Sequence, residues 1–205
     1  MHARIATFEG IRLEHVEVLR RLERERFTEE NRRLPGYAGN LSLVDTGAGR
    51  ALAVILFDSK ESLEAAHREL DAMSPPDELR GIRRTSVDFY EVGLQELSGE
   101  PRAARVSRLE GPRDSIDAGV QHATDNILPR ARNIDGWLGA FMLADRDAGA
   151  TVLITLWESP EALRASEEEA NRLRQESAEA MGDSIEAVER YEVVGVDVSA
   201  RAASR

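Results

Sequence analysis

Apolar positions along this chain switch repeatedly between strict alternation and the three-to-four-residue spacing of a helix face. Arg4 to Glu9 is β-branched and aromatic and reads as a strand ending at Gly10. Residues 12–33 place Val16, Leu19, Leu22 and Phe27 on one side of a long charged helix. Leu34-Pro35-Gly36 stops it, because proline cannot continue a helix and glycine accepts a left-handed cap. Residues 37–45 alternate again, with Tyr37, Gly39, Leu41 and Leu43 on one side, and Asp45 to Gly49 forms a hairpin turn. Residues 50–58 are the most apolar strand of this half: Leu52, Val54 and Leu56 face one way, Ala53, Ile55 and Phe57 the other. Ser59 can cap a second helix, whose inward stripe is Leu63, Ala66, His67, Leu70 and Met73. Ser74-Pro75-Pro76-Asp77 breaks it, and residues 84–95 read as a final strand.

The same order then recurs. Gly36-Tyr37-Ala38-Gly39 and Leu56-Phe57-Asp58-Ser59 reappear as Gly136-Trp137-Leu138-Gly139 and Leu156-Trp157-Glu158-Ser159, with no gap between residues 36 and 66. The flanks agree, as in Tyr90-Glu91-Val92 against Tyr191-Glu192-Val193. Strands are expected at 104–110, 137–145, 150–158 and 184–198, and helices near 112–131 and 160–181. This is the pattern of a tandem duplication, with repeats at 1–98 and 102–198, a linker between them, and an unstructured tail at 199–205. Each repeat has the ferredoxin-like order β-α-β-β-α-β, an α+β unit with an antiparallel sheet and both helices on one face. Large apolar side chains also fall on what the pattern assigns as the helix-free face (Ile55 and Phe57, Leu153 and Trp157), and such a face needs a cover. The second sheet is the expected cover, giving an intrachain barrel in a chain that can be monomeric, with further dimerisation open.

Charge narrows the partners. Residues 1–100 hold 14 basic and 19 acidic residues and the remainder 13 and 19, so neither half is a basic module for nucleic acid. No cysteine is present, which removes disulfides and thiolate chemistry. No long apolar run or leader-like h-region occurs, so no membrane partner and a cytoplasmic location are expected. His2, His15 and His122 lack metal-ligand spacing, and neither a phosphate-cradling glycine loop nor a nucleophile elbow appears.

The Pro-Gly-Tyr-x-Gly turn, the hairpin, and the strand ending Leu-Trp-Glu-Ser-Pro-Glu-Ala-Leu resemble the antibiotic biosynthesis monooxygenase (ABM) domain of the dimeric α+β barrel type. The resemblance covers both repeats and implies two ferredoxin-like units packed sheet to sheet. It also implies an oxygenase of a small aromatic or polyketide-like molecule, working without a bound cofactor. Haem-degrading members combine a first-strand Asn, a Trp ending the third strand and a His on the next helix. Here Arg4 to Glu9 and Arg105 to Glu110 hold no Asn, and Trp157 and His67 belong to different repeats. That pattern speaks against haem degradation.

Candidate site residues follow from placement. Phe57 and Trp157 are expected to point into the barrel and wall an apolar pocket, with Ile55 beside Phe57. His67, at Glu167 in the other repeat, is the candidate catalytic base, since an imidazole titrates near neutrality. Tyr90 and Tyr191 are further candidates for substrate contact, on strand faces shared with Asp88 and Glu189, which Arg4 and Arg105 could pair. Two readings stay open: an ABM-like enzyme, or a non-catalytic small-molecule-binding or regulatory barrel. At most one of the two pockets is expected to be a working site.

Overall fold

A computed structural model describes residues 1–198; the tail expected from Ser199 lies outside the described residues. The first half contains β1 (His2–Glu9), α1 (Leu13–Leu22), a π-helical turn (Glu23–Phe27), α2 (Thr28–Asn31), β2 (Tyr37–Asp45), β3 (Arg50–Phe57), α3 (Lys60–Ala72) and β4 (Arg83–Leu97). The second contains β5 (Ala103–Glu110), α4 (Ile116–His122), a second π-helical turn (Ala123–Ile127), α5 (Leu128–Ala131), β6 (Trp137–Asp145), β7 (Ala150–Trp157), α6 (Pro160–Ala165), α7 (Glu167–Met181) and β8 (Ser184–Val198). The eight strands hydrogen-bond in the closed order β1-β3-β2-β8-β5-β7-β6-β4, an α+β barrel.

Local chemistry explains the boundaries. Gly36 adopts φ 62° between α2 and β2, and a Cβ there would strike Asp58 and Ser62. The Ser59 hydroxyl accepts the Ser62 backbone N–H at 3.1 Å, so the expected cap is made, and the Ser159 hydroxyl accepts that of Ala162 at 3.1 Å in the same way. The helix expected at 12–33 is interrupted where one turn widens to π geometry, as is its counterpart.

Two compact units emerge. One comprises residues 1–89 together with the end of β8 from Glu192; the other runs from Tyr90 to Tyr191. In the first, β3 lies between β1 and β2, and β2 pairs with the end of β8, Val44 opposite Glu192 and Gly39 opposite Val198. In the second, β7 lies between β5 and β6, and β6 pairs with the end of β4, from Glu91 opposite Ala144 to Leu97 opposite Gly139.

The alternation along β3 and β7 is as expected, but its sidedness is reversed. Ile55 and Phe57 pack with Leu63 and Ala66 of α3, and Trp157 packs with Leu163 of α6, so these side chains lie under the helices rather than inside the barrel. Leu52, Val54 and Leu56 occupy the opposite face and are equally buried. Both alternating sets are apolar, and parity alone does not say which one the helices cover. Tyr37 and Trp137 join the helix face because a register shift follows each of them.

Candidate functional site

The helix-facing floor of the first unit can be read row by row from strand register. Arg4, Ile55 and Asn40 lie side by side on β1, β3 and β2; the next row is Ala6, Ala53 and Ser42; then come Phe8, Ala51 and Val44. Three alanines in the middle leave depth under the helices. A cavity of about 440 Å³ opens there, walled by Leu19, Phe27 and Leu70 among others. That volume suits a small ring system.

Two polar groups converge on it from opposite sides. On the β2 side is Glu23, 6% exposed, at the start of the first π turn. Its carboxylate accepts the Ser42 hydroxyl at 2.5 Å and the Asn40 amide at 3.3 Å. Burial pushes the Glu23 carboxyl above its ordinary range, and these two hydrogen bonds only partly oppose that. Room for the carboxyl comes from Gly195 of β8, opposite Ser42, where a Cβ would sit 2.7 Å from the Glu23 Cγ. Behind Asn40, the Tyr37 hydroxyl lies 2.5 Å from the Asn40 Oδ1 and 2.9 Å from Asp197, which a bidentate Arg32 holds at 2.9 Å through each nitrogen. Burial, then the bond to Asp197, raises the Tyr37 pKa, so its hydroxyl stays protonated. A hydrogen-bonded chain thus runs from exposed Arg32 to the cavity acid.

On the β1 side is Arg4, 3% exposed. Its Nε donates to His67 Nδ1 at 3.4 Å, while its Nη2 makes no hydrogen bond and has only the Asp71 carboxylate, 3.6 Å away. Asp71 is held more closely by Arg84, at 2.8 Å, and lies 3.6 Å from His67 Nε2. Burial, and then the Arg84 charge, lower the Arg4 pKa.

The second unit differs row for row. Its floor reads Arg105, Thr155, Ala140; then Ser107, Leu153, Met142; then Leu109, Thr151, Ala144. Leu153 and Met142 stand where the first unit has Ala53 and Ser42, and the cavity falls to about 90 Å³. The buried acid is gone as well, since the second π turn starts at Ala123. Arg105 bonds internally through one nitrogen: its Nη2 donates to the Leu163 carbonyl, Ser166 and Glu167 at 2.9, 3.2 and 3.0 Å, while its Nε and Nη1 make no hydrogen bond. Its guanidinium carbon lies 5.4 Å from the Trp157 ring centroid, a cation–π contact, and the Trp157 indole N–H donates to Thr155 at 3.1 Å.

Of the residues singled out from sequence, Ile55 lines the first cavity and Trp157 the second. Phe57 is fully buried beside the first cavity without lining it. His67 stands behind Arg4, its ring against Phe89 at 5.0 Å between centroids, and does not line the cavity; Tyr90 and Tyr191 line neither. The expected partners of the first-strand arginines are replaced: Arg4 and Arg105 take Asp71 and Glu167, while Glu189 pairs with Arg108 and Asp88 accepts from Ser86. Glu23, Asn40 and Ser42 were not anticipated. The available signal was the comparison of copies, in which all three are polar and Ala123, Ala140 and Met142 are not. Among the described residues, no cluster of three or more His, Asp or Glu side chains is placed to hold a metal, and no helix is long and apolar enough to cross a membrane.

No family model matches the sequence. An uncharacterized Mycobacterium tuberculosis protein is 32% identical over 100 residues, 49% of this chain and 44% of that relative, so the match spans less than half the relative's length. Among solved structures, a Lactobacillus acidophilus protein described as a candidate monooxygenase matches with TM-score 0.66 at 10% identity, over 100% of this chain and 99% of that one. An anthrone oxidase-like protein matches with TM-score 0.63 at 13% identity, over 96% and 92%. A Listeria monocytogenes ferredoxin-fold protein related to antibiotic biosynthesis monooxygenases matches with TM-score 0.52 at 8% identity, over 94% and 95%. The chain has the ABM-type fold. At such identities an ABM-type fold is a scaffold, and the chemistry rests on the cavity residues.

Proposed function

We propose that the protein is an ABM-like oxygenase of a small aromatic or polyketide-like molecule, working without a bound cofactor, with its site in the first unit's cavity. The observation that carries this reading is Glu23: a buried carboxyl raised in pKa, hydrogen-bonded by Ser42 and Asn40, at the wall of an apolar cavity of about 440 Å³. In its ionised form such a group can take a proton from an acidic ring methylene or phenol, and desolvation makes it a stronger base than in water. The resulting carbanion or phenolate supplies electrons to O2. For an anthrone-like methylene, the carbon loses both hydrogens and gains one oxygen atom as a carbonyl, and the other oxygen leaves as water. Asn40 and Ser42 hold the carboxylate, and the apolar wall excludes bulk water.

In this reading Glu23 is the proton acceptor and His67 orients Arg4. The anthrone oxidase-like fold neighbour supports the substrate class by analogy only. The second unit, lacking both acid and space, serves as scaffold. The test is O2 uptake with 1,8-dihydroxyanthrone as probe. The native chain should exceed the uncatalysed rate, and Glu23→Gln should lose about 10²–10⁴-fold, the usual worth of a positioned base. Uptake equal to the blank, or undiminished in Glu23→Gln, would overturn the assignment.

A further inference from the structure

The β1 end of the cavity is built around a charge with too few partners. Arg4 is 3% exposed and lines the cavity, and its Nη2 has no hydrogen bond. Its counter-charge, Asp71, sits at 3.6 Å and is shared with Arg84 at 2.8 Å. Two guanidinium groups therefore face one carboxylate, and both line the same cavity. A buried cation left short of hydrogen bonds is costly, and an anion entering the cavity would remove that cost. In the second unit the equivalent Arg105 bonds through Nη2 alone, to Glu167, a carbonyl and a hydroxyl, and lies against an indole face; its Nε and Nη1 make no hydrogen bond, but the adjoining space is too small for a ring ligand.

We propose that the first cavity selects ring compounds bearing an anionic group, a carboxylate or sulfonate, which Arg4 binds, with Arg84 beside it. The register sets the ligand's reach. Arg4 and Asn40 flank Ile55 in one row, so they stand two strand spacings apart, about 10 Å. That distance accommodates two or three fused rings between the anion at Arg4 and the reacting position at Glu23. The proposal rests on the cavity being the working site, and it adds the substrate's charge and the end at which that charge binds.

The test uses calorimetric titration of the full chain with 2-naphthoate and, as the neutral counterpart, 2-naphthylmethanol. The native chain should bind the naphthoate at least about tenfold more tightly, in line with a charge-assisted hydrogen bond. Arg4→Gln should erase that preference and leave the alcohol's affinity unchanged; Asp71 keeps Arg84, so the variant does not strand a buried carboxylate. Ala53→Leu, which installs the side chain found at Leu153, should abolish binding of both probes while Arg4 remains. Equal affinity for the two probes, or a preference that survives Arg4→Gln, would overturn the anion site but leave the cavity as a ligand site, provided Ala53→Leu still blocks both. Binding of neither probe, or binding indifferent to Ala53→Leu, would overturn the cavity reading together with it.

Discussion

Glu23 carries a proton bookkeeping consequence that an exposed glutamate would not. Its folded-state pKa lies above the ordinary 4.5, because burial disfavours the charged form. Its contribution to stability is therefore fully present below about pH 4.5 and is lost as pH rises through the raised value. Glu23→Gln removes the ionisation while keeping the shape. Its melting temperature should exceed the native one at neutral pH, with the gap closing as pH falls toward 4.5, followed by thermal melts across that range. A gap independent of pH would show that Glu23 does not titrate in that window. Sequence periodicity could not disclose this residue. Its neighbour Leu22 marked the buried stripe, and a glutamate one position on reads as solvated unless the turn widens. Likewise Asn40 and Ser42 alternate with Leu41 and Leu43, and nothing in that alternation says that the helices cover the polar set.

At the scale of elements, the strands and caps were legible because their signals are local. β2, β6 and β8 begin and end where alternation and turn residues place them, and Ser59 caps α3 through its own hydroxyl. Ser59→Ala should cost about 1 kcal/mol, read by denaturant melts. What stayed hidden were the two π turns, which carry no proline or glycine, and the covered face of each sheet, which depends on packing between distant segments. The Glu23 turn and β8 are matched through Gly195. Gly195→Ala should cost about 1–3 kcal/mol by crowding the Glu23 side chain. In a Glu23→Ala background the same change should be nearly neutral, because the crowded partner is gone. Equal costs in both backgrounds would place the strain elsewhere.

For the whole molecule, β4 and β8 matter most. β4 begins in the first compact unit and ends paired with β6 in the second; β8 begins in the second and ends paired with β2 in the first. Cutting the chain at Gly99 therefore yields two pieces, each holding a strand segment that the other's sheet hydrogen-bonds. Those pieces should co-purify after engineered proteolysis, and elution as two independent species would contradict the strand order. The closed order was expected from an apolar face needing cover, although the residues offered as its lining proved to lie on the other side of the sheet.

Gly195, which makes room for the cavity acid, lies near the C-terminal end of the described chain, while Arg4 stands at its beginning. The site thus joins two segments that are far apart in the order of synthesis. Whereas domains generally mature in the order of synthesis, this one should remain open until translation has passed Val198. Nascent chains arrested before Glu192 should be readily cleaved by protease throughout their first half, with protection arriving only once the final strand is free of the exit tunnel.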